Sequence, residues 1–115
     1  MAKAIGAALL WGALLLGGCV SIGGPRLGSE LVGRSARLVP ARGDASMLHF
    51  APDGTVRSTF GRRSASGRWW IKNRRLCFLW AGSFRECWPY GAPLQPGRPR
   101  SIRSDRGNVV HVTLL

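Results

Sequence analysis

Beyond residue 29, apolar positions alternate with polar ones in short runs broken by glycine, proline and aspartate. That is the pattern of half-buried β-strands joined by tight turns. Met47 to Phe60 is the clearest case. Pro52-Asp53-Gly54 fits a type I turn with glycine in the left-handed position. Pairing Ala51 with Thr55 then sets Phe50 opposite Val56 and Leu48 opposite Ser58. Leu48, Phe50, Val56 and Phe60 fall on one face, and Met47, His49, Arg57 and Thr59 on the other.

The densest stretch is Gly67 to Trp88, with four of the five tryptophans and two of the three cysteines. A two-residue turn at Asn73-Arg74 places Ile71 opposite Leu76, Trp69 opposite Phe78 and Gly67 opposite Trp80. Gly67 leaves room for the Trp80 indole, which a larger residue would crowd. The reverse face pairs Trp70 with Cys77 and Lys72 with Arg75, a like-charge pair tolerable only at a solvated end. A further turn at Ala81-Gly82-Ser83 brings Cys77 directly across from Cys87, within disulfide reach. The same register sets Glu86 on the apolar face opposite Phe78, which requires either an arginine partner at the sheet margin or a bulge.

The flanks read less sharply. Leu31 to Val39 is a first strand candidate ending at Pro40, and Gly43-Asp44 is a turn signal. Gly61 to Ser66 reads as a basic loop. Prolines and glycines make residues 91–100 an irregular connection. Ser101-Ile102-Arg103 and Val109 to Leu114 form a last hairpin around 105–108, with Val110, Val112 and Leu114 inward. The expectation is all-β: a small antiparallel meander of six to eight short strands, as a barrel or a sandwich.

Residues 1–19 carry a different signal. Lys3, an apolar run from Ala4 to Leu16 and then Gly17-Gly18-Cys19 have the form of an export signal, expected as an N-terminal signal or anchor helix that precedes the β-domain. Leu16-Gly17-Gly18-Cys19 resembles the lipobox of bacterial lipoproteins. That resemblance implies removal of residues 1–18 as a signal peptide, lipid attachment at Cys19 and anchoring in a membrane. Val20 after the cysteine, rather than Asp, resembles the outer-membrane sorting state of Gram-negative lipoproteins, facing the periplasm. An uncleaved anchor running from Ala4 to Pro25, or plain secretion with Cys19 incidental, are the competing readings. All three leave the rest of the chain outside the cytoplasm, since Lys3 stays inside. Residues 19–29 then form a lipidated, glycine-rich tether and 30–115 a single β-domain. With Cys19 lipidated, Cys77 and Cys87 form an even pair for an oxidising space.

The body also resembles small disulfide-stapled β-domains of bacterial envelope proteins, through its Gly-x-Trp strand, Leu-Cys-x-x-Trp strand and returning cysteine. Gly67-Arg68-Trp69 is similar to the Gly-x-Trp opening of lipocalin barrels, though placed mid-chain.

Composition narrows the partners. The chain has 115 residues, 17 Lys+Arg against 5 Asp+Glu and a net charge of +12. Arg57, Arg62, Arg63, Arg68, Lys72, Arg74 and Arg75 are candidates for a surface that binds anionic partners: lipid headgroups, lipopolysaccharide or cell-wall polymer. The plain alternative is a solvated polar face. Nucleic acid, the usual partner of such charge, is not expected for an exported domain. The same charge disfavours inhibition of a cationic lysozyme. Trp69, Trp70, Trp80 and Trp88 read either as core or as the lining of a site for a small apolar ligand, as in a lipocalin-like carrier. His49 and His111 lie on polar faces, and Asp44, Asp53 and Asp105 sit in turns where Asp is favoured for backbone reasons. No catalytic, metal-binding or cofactor-binding constellation is visible, so a binding or structural role rather than an enzyme is expected.

Overall fold

The computed structural model describes residues 26–115. The predicted signal segment, Cys19 and the first part of the tether lie outside the described residues.

Eight antiparallel strands form one sheet: β1 Ser35–Pro40, β2 Ser46–Phe50, β3 Thr55–Phe60, β4 Arg63–Lys72, β5 Arg75–Trp80, β6 Phe84–Pro89, β7 Arg100–Arg103 and β8 Val109–Leu114. Their order is β6-β5-β4-β3-β2-β1-β8-β7. Consecutive strands pair except β6 and β7, and β8 returns to pair with β1. The sheet therefore curls into a nearly closed barrel, which decides between the two expected all-β arrangements.

The seam falls between β6 and β7, for chemical reasons. Pro89 offers no N–H, and Pro93, Pro96 and Pro99 keep the connection out of the ladder. The turn before β8 closes the gap instead. Asp105 donates its N–H to the Cys87 carbonyl at 2.9 Å and accepts the Cys87 N–H on Oδ1 at 2.9 Å. Arg106 Nε donates to the Arg85 carbonyl at 2.9 Å.

The hairpin registers read from the sequence hold: Phe50 pairs with Val56, Trp69 with Phe78, Gly67 with Trp80 and Cys77 with Cys87. Cys77 and Cys87 are joined in a disulfide. A Cβ on Gly67 would run into the Leu79 carbonyl and come within 3.0 Å of the Trp80 ring.

Several expectations give way. β4 starts at Arg63, so Gly61-Arg62 is a tight turn and Arg63 to Ser66 are strand rather than loop. Small and charged side chains hid the continuing alternation. Residues 31–34 are not strand. Ser29–Leu31 is a 3-10 helix, followed by Gly33 at φ 74°. Pro40 does not stand beyond β1 but pairs with Val110. Residues 26–29, read as tether, are folded: Leu27 packs on the core and Ser29 opens the helix.

The core is a column of rings and aliphatics. Phe78 packs edge-on to Trp88 at 4.8 Å and stacks on Trp80 at 5.6 Å, while Phe50 meets Trp69 at 5.2 Å. One end, the base, is plugged by Leu31, Tyr90 and Leu94, all buried. The other end, the mouth, is formed by the turns 41–45, 61–62, 81–83 and 104–108.

Candidate functional site

β4 separates the predicted basic residues. It is ten residues long, so its two ends lie about 30 Å apart at roughly 3.3 Å per residue. Arg62 and Arg63 sit at the mouth, and Lys72, Arg74 and Arg75 at the base. Arg57 and Arg68 lie between them on the outer wall, exposed. The seven cations do not form one patch.

The ladders show what the wall carries instead. One row runs Thr55, Arg68, Leu79, Arg85 across four strands, and the next runs His49, Arg57, Ser66. Arg57, Arg68 and Arg85 thus share one outward surface, interleaved with half-buried Leu79 and Trp70. Arg85 was missed from the sequence, although the Cys77–Cys87 register already implied its place opposite Leu79.

Most of the carboxylates are engaged by the chain's own donors, and Asp53 is held near a wall arginine, Arg68. Glu30 accepts the Tyr90 hydroxyl and the Gly28 N–H. Asp53 accepts the Thr55 hydroxyl at 2.7 Å and N–H at 3.0 Å, bonds that hold its pKa below the usual carboxylate value. Asp105 holds the seam. Glu86 keeps its position opposite Phe78 with no bulge, and accepts from Asn108 Nδ2 at 2.7 Å rather than from an arginine. Four of the five carboxylates are therefore engaged by hydroxyl, amide or backbone donors of the fold.

The tryptophans divide. Trp69 donates its indole N–H to the Ala51 carbonyl at 3.2 Å and belongs to the core, while Trp70 is on the outer wall. Neither lines a hollow at the mouth. Trp80 and Trp88 do, with Leu38, Phe60 and Glu86, around a cleft of about 240 Å³. A second hollow of about 460 Å³ adjoins it at Leu38, Glu86 and Trp88, and runs toward Arg42 and Asn108. The interior below is filled by Phe50, Trp69 and Phe78.

His49 Nδ1 lies 2.8 Å from the Ser35 hydroxyl. His111 pairs with Val39, four residues further along β1, about 13 Å away at strand rise. The two imidazoles share no site. Among the described residues, no three His, Cys, Asp or Glu side chains are grouped so as to hold a metal ion.

Comparison with protein families, with curated proteins and with solved structures gives no match.

Proposed function

We propose that this chain is a lipid-anchored protein of the bacterial cell envelope, held at Cys19 and facing the periplasm from the outer membrane. Its barrel binds anionic envelope polymers (lipopolysaccharide or cell-wall polymer) without catalysing a reaction. The observation that carries this reading is the division of charge. Four of the five carboxylates accept hydrogen bonds from the chain's own donors, Asp53 among them lying near the wall arginine Arg68, whereas Arg57, Arg68 and Arg85 are exposed on one wall. Guanidinium forks match phosphate and carboxylate groups, and the interleaved Leu79 and Trp70 offer apolar contact to the carbon skeleton of such a polymer.

The test is a titration of the full-length protein, held in zwitterionic lipid, with purified lipopolysaccharide and with a soluble cell-wall polymer. Binding should weaken steeply with salt. The Arg57→Gln, Arg68→Gln, Arg85→Gln triple variant should bind roughly tenfold less tightly, at about 0.5 kcal/mol for each exposed charge contact. Salt-independent binding, or a triple variant that binds as well as the parent, defeats the reading.

The hollow at the mouth favours a second, weaker reading as a carrier of a small apolar ligand. Its apolar inner part, of about 240 Å³, is below the roughly 300–1,000 Å³ usual for ligand pockets, and the adjoining hollow of about 460 Å³ that would bring it into that range is lined in part by Arg42, Glu86 and Asn108. Enhancement of an anilinonaphthalene probe that is abolished by Trp80→Ala would support it.

A further inference from the structure

The base of the barrel holds a second set of cations that the sequence does not group. Arg26 opens the described chain there, its carbonyl accepting the Ser29 N–H at 3.0 Å. Gly28 lies against Ile71, which places the segment that Arg26 opens at the end of β4 that carries Lys72. Arg74 follows in the next turn, its guanidinium donating to the Gly91 carbonyl at 3.0 Å. Across the base, Arg34 Nε donates to the Leu115 carbonyl at 3.2 Å. The Gly97 N–H bonds the Leu114 carbonyl at 2.8 Å, which brings neighbouring Arg98 to the same edge. Arg26, Arg34, Lys72, Arg74 and Arg98 are all exposed.

Two large apolar side chains are exposed among them, Val32 at 42% and Leu115 at 51%. Of the base carboxylates, Glu30 accepts the Tyr90 hydroxyl, while Asp53 is exposed and bonded to Thr55 beside Arg68, so the five cations stand against one exposed carboxylate. A cationic ring around exposed aliphatics fits a surface that is anionic at the headgroup and apolar just beneath.

Chain length decides which end of the barrel can meet a membrane. Six residues lie between Cys19 and Arg26, and seven chain steps span about 25 Å at full extension and about 13–16 Å on average for a random chain of that length. A six-residue strand adds about 20 Å between base and mouth. At the shorter, coil-like distance a tether leaving the base holds the base nearer than the mouth to the bilayer that carries the anchor, and the mouth comes within reach only as the tether approaches full extension.

We propose that the base lies against the anionic headgroups of that bilayer, with the mouth turned away. The orientation rests on the lipoprotein reading above; the basic ring itself does not. The test is arginine footprinting with a dicarbonyl reagent on full-length protein reconstituted in two kinds of vesicle. One is phosphatidylcholine alone, and the other has about a third of its lipid replaced by phosphatidylglycerol. Arg26, Arg34 and Arg98 should react several-fold more slowly in the anionic vesicles, and high salt should abolish the protection. Arg57, Arg68 and Arg85 should react equally in both.

In an R34Q/R98Q variant, protection of Arg26 should disappear at lower salt, each charge near the surface being worth about fivefold in binding. Equal reactivity of the base arginines in both vesicles, or protection confined to the wall or to Arg62 and Arg63 at the mouth, overturns the proposal. The mass of the Cys19 peptide from the same sample tests the anchor separately. An unmodified thiol there removes the lipoprotein reading, and base protection is then judged by its own comparison.

Discussion

Tyr90 shows how one side chain can close an end of this fold. It is fully buried, donates to Glu30 and accepts the Leu94 N–H at 3.0 Å. Burial, reinforced by the Glu30 contact, raises its pKa far above the ordinary value of 10.0. A folded-state pKa above the unfolded one means that the bonds contribute fully below the unfolded pKa, near pH 10. That stability is lost as pH rises from about 10 toward the folded value. Thermal melts from pH 8 upward should therefore show Tm falling above about pH 10, and Tyr90→Phe should flatten that fall. At pH 7 the same substitution should cost about 1–3 kcal/mol, because the buried Leu94 N–H loses its acceptor. Gly67 is a second such position. Gly67→Val should cost about 1–3 kcal/mol by driving β4 from the Leu79 carbonyl, measured by denaturant unfolding.

Among the elements, the hairpins turning at 52–54, 73–74 and 81–83 were legible because each has a marked turn and one largely apolar face, which together fix register. The start of β4 was not. Arg63, Ser64, Ala65 and Ser66 hold no large apolar side chain, and only the ladder to β3 makes them strand. Pairing of β1 with β8 was also hidden, since nothing local marks a contact between strands so distant in sequence. Glu86 looked like a conflict for the same reason. Its partner Asn108 comes from another hairpin across the seam. That seam should be the first part of the sheet to open. Asp105→Ala removes the acceptor for the Cys87 N–H and should cost about 1–2 kcal/mol. Amide exchange at Cys87 should quicken well before exchange in β3 and β4. The disulfide supports the same region, closing a loop of ten residues. Replacing both cysteines by alanine should lower stability by about 2.5–3 kcal/mol.

At the level of the whole molecule, the sequence made the excess of positive charge plain but not its distribution. The predicted cations are spread over β3, β4, β5 and the turns between them, and only folding shows a wall with Arg57, Arg68 and Arg85 and a base with Arg26, Arg34 and Arg98. The base was unreadable in advance because it gathers both ends of the described chain and the proline-rich loop 90–99, none of which has a periodic pattern. The proposed setting, an oxidising envelope space in which the barrel is tied to a bilayer, would give both cationic surfaces and the disulfide between neighbouring strands a use. Mass spectrometry of the protein isolated from bacterial membranes tests that setting most directly. The predicted result is a chain beginning at a lipid-bearing Cys19, with Cys77 and Cys87 recovered as one linked pair of peptides. A soluble cytoplasmic chain retaining Met1 to Gly18 and three alkylatable thiols would contradict it.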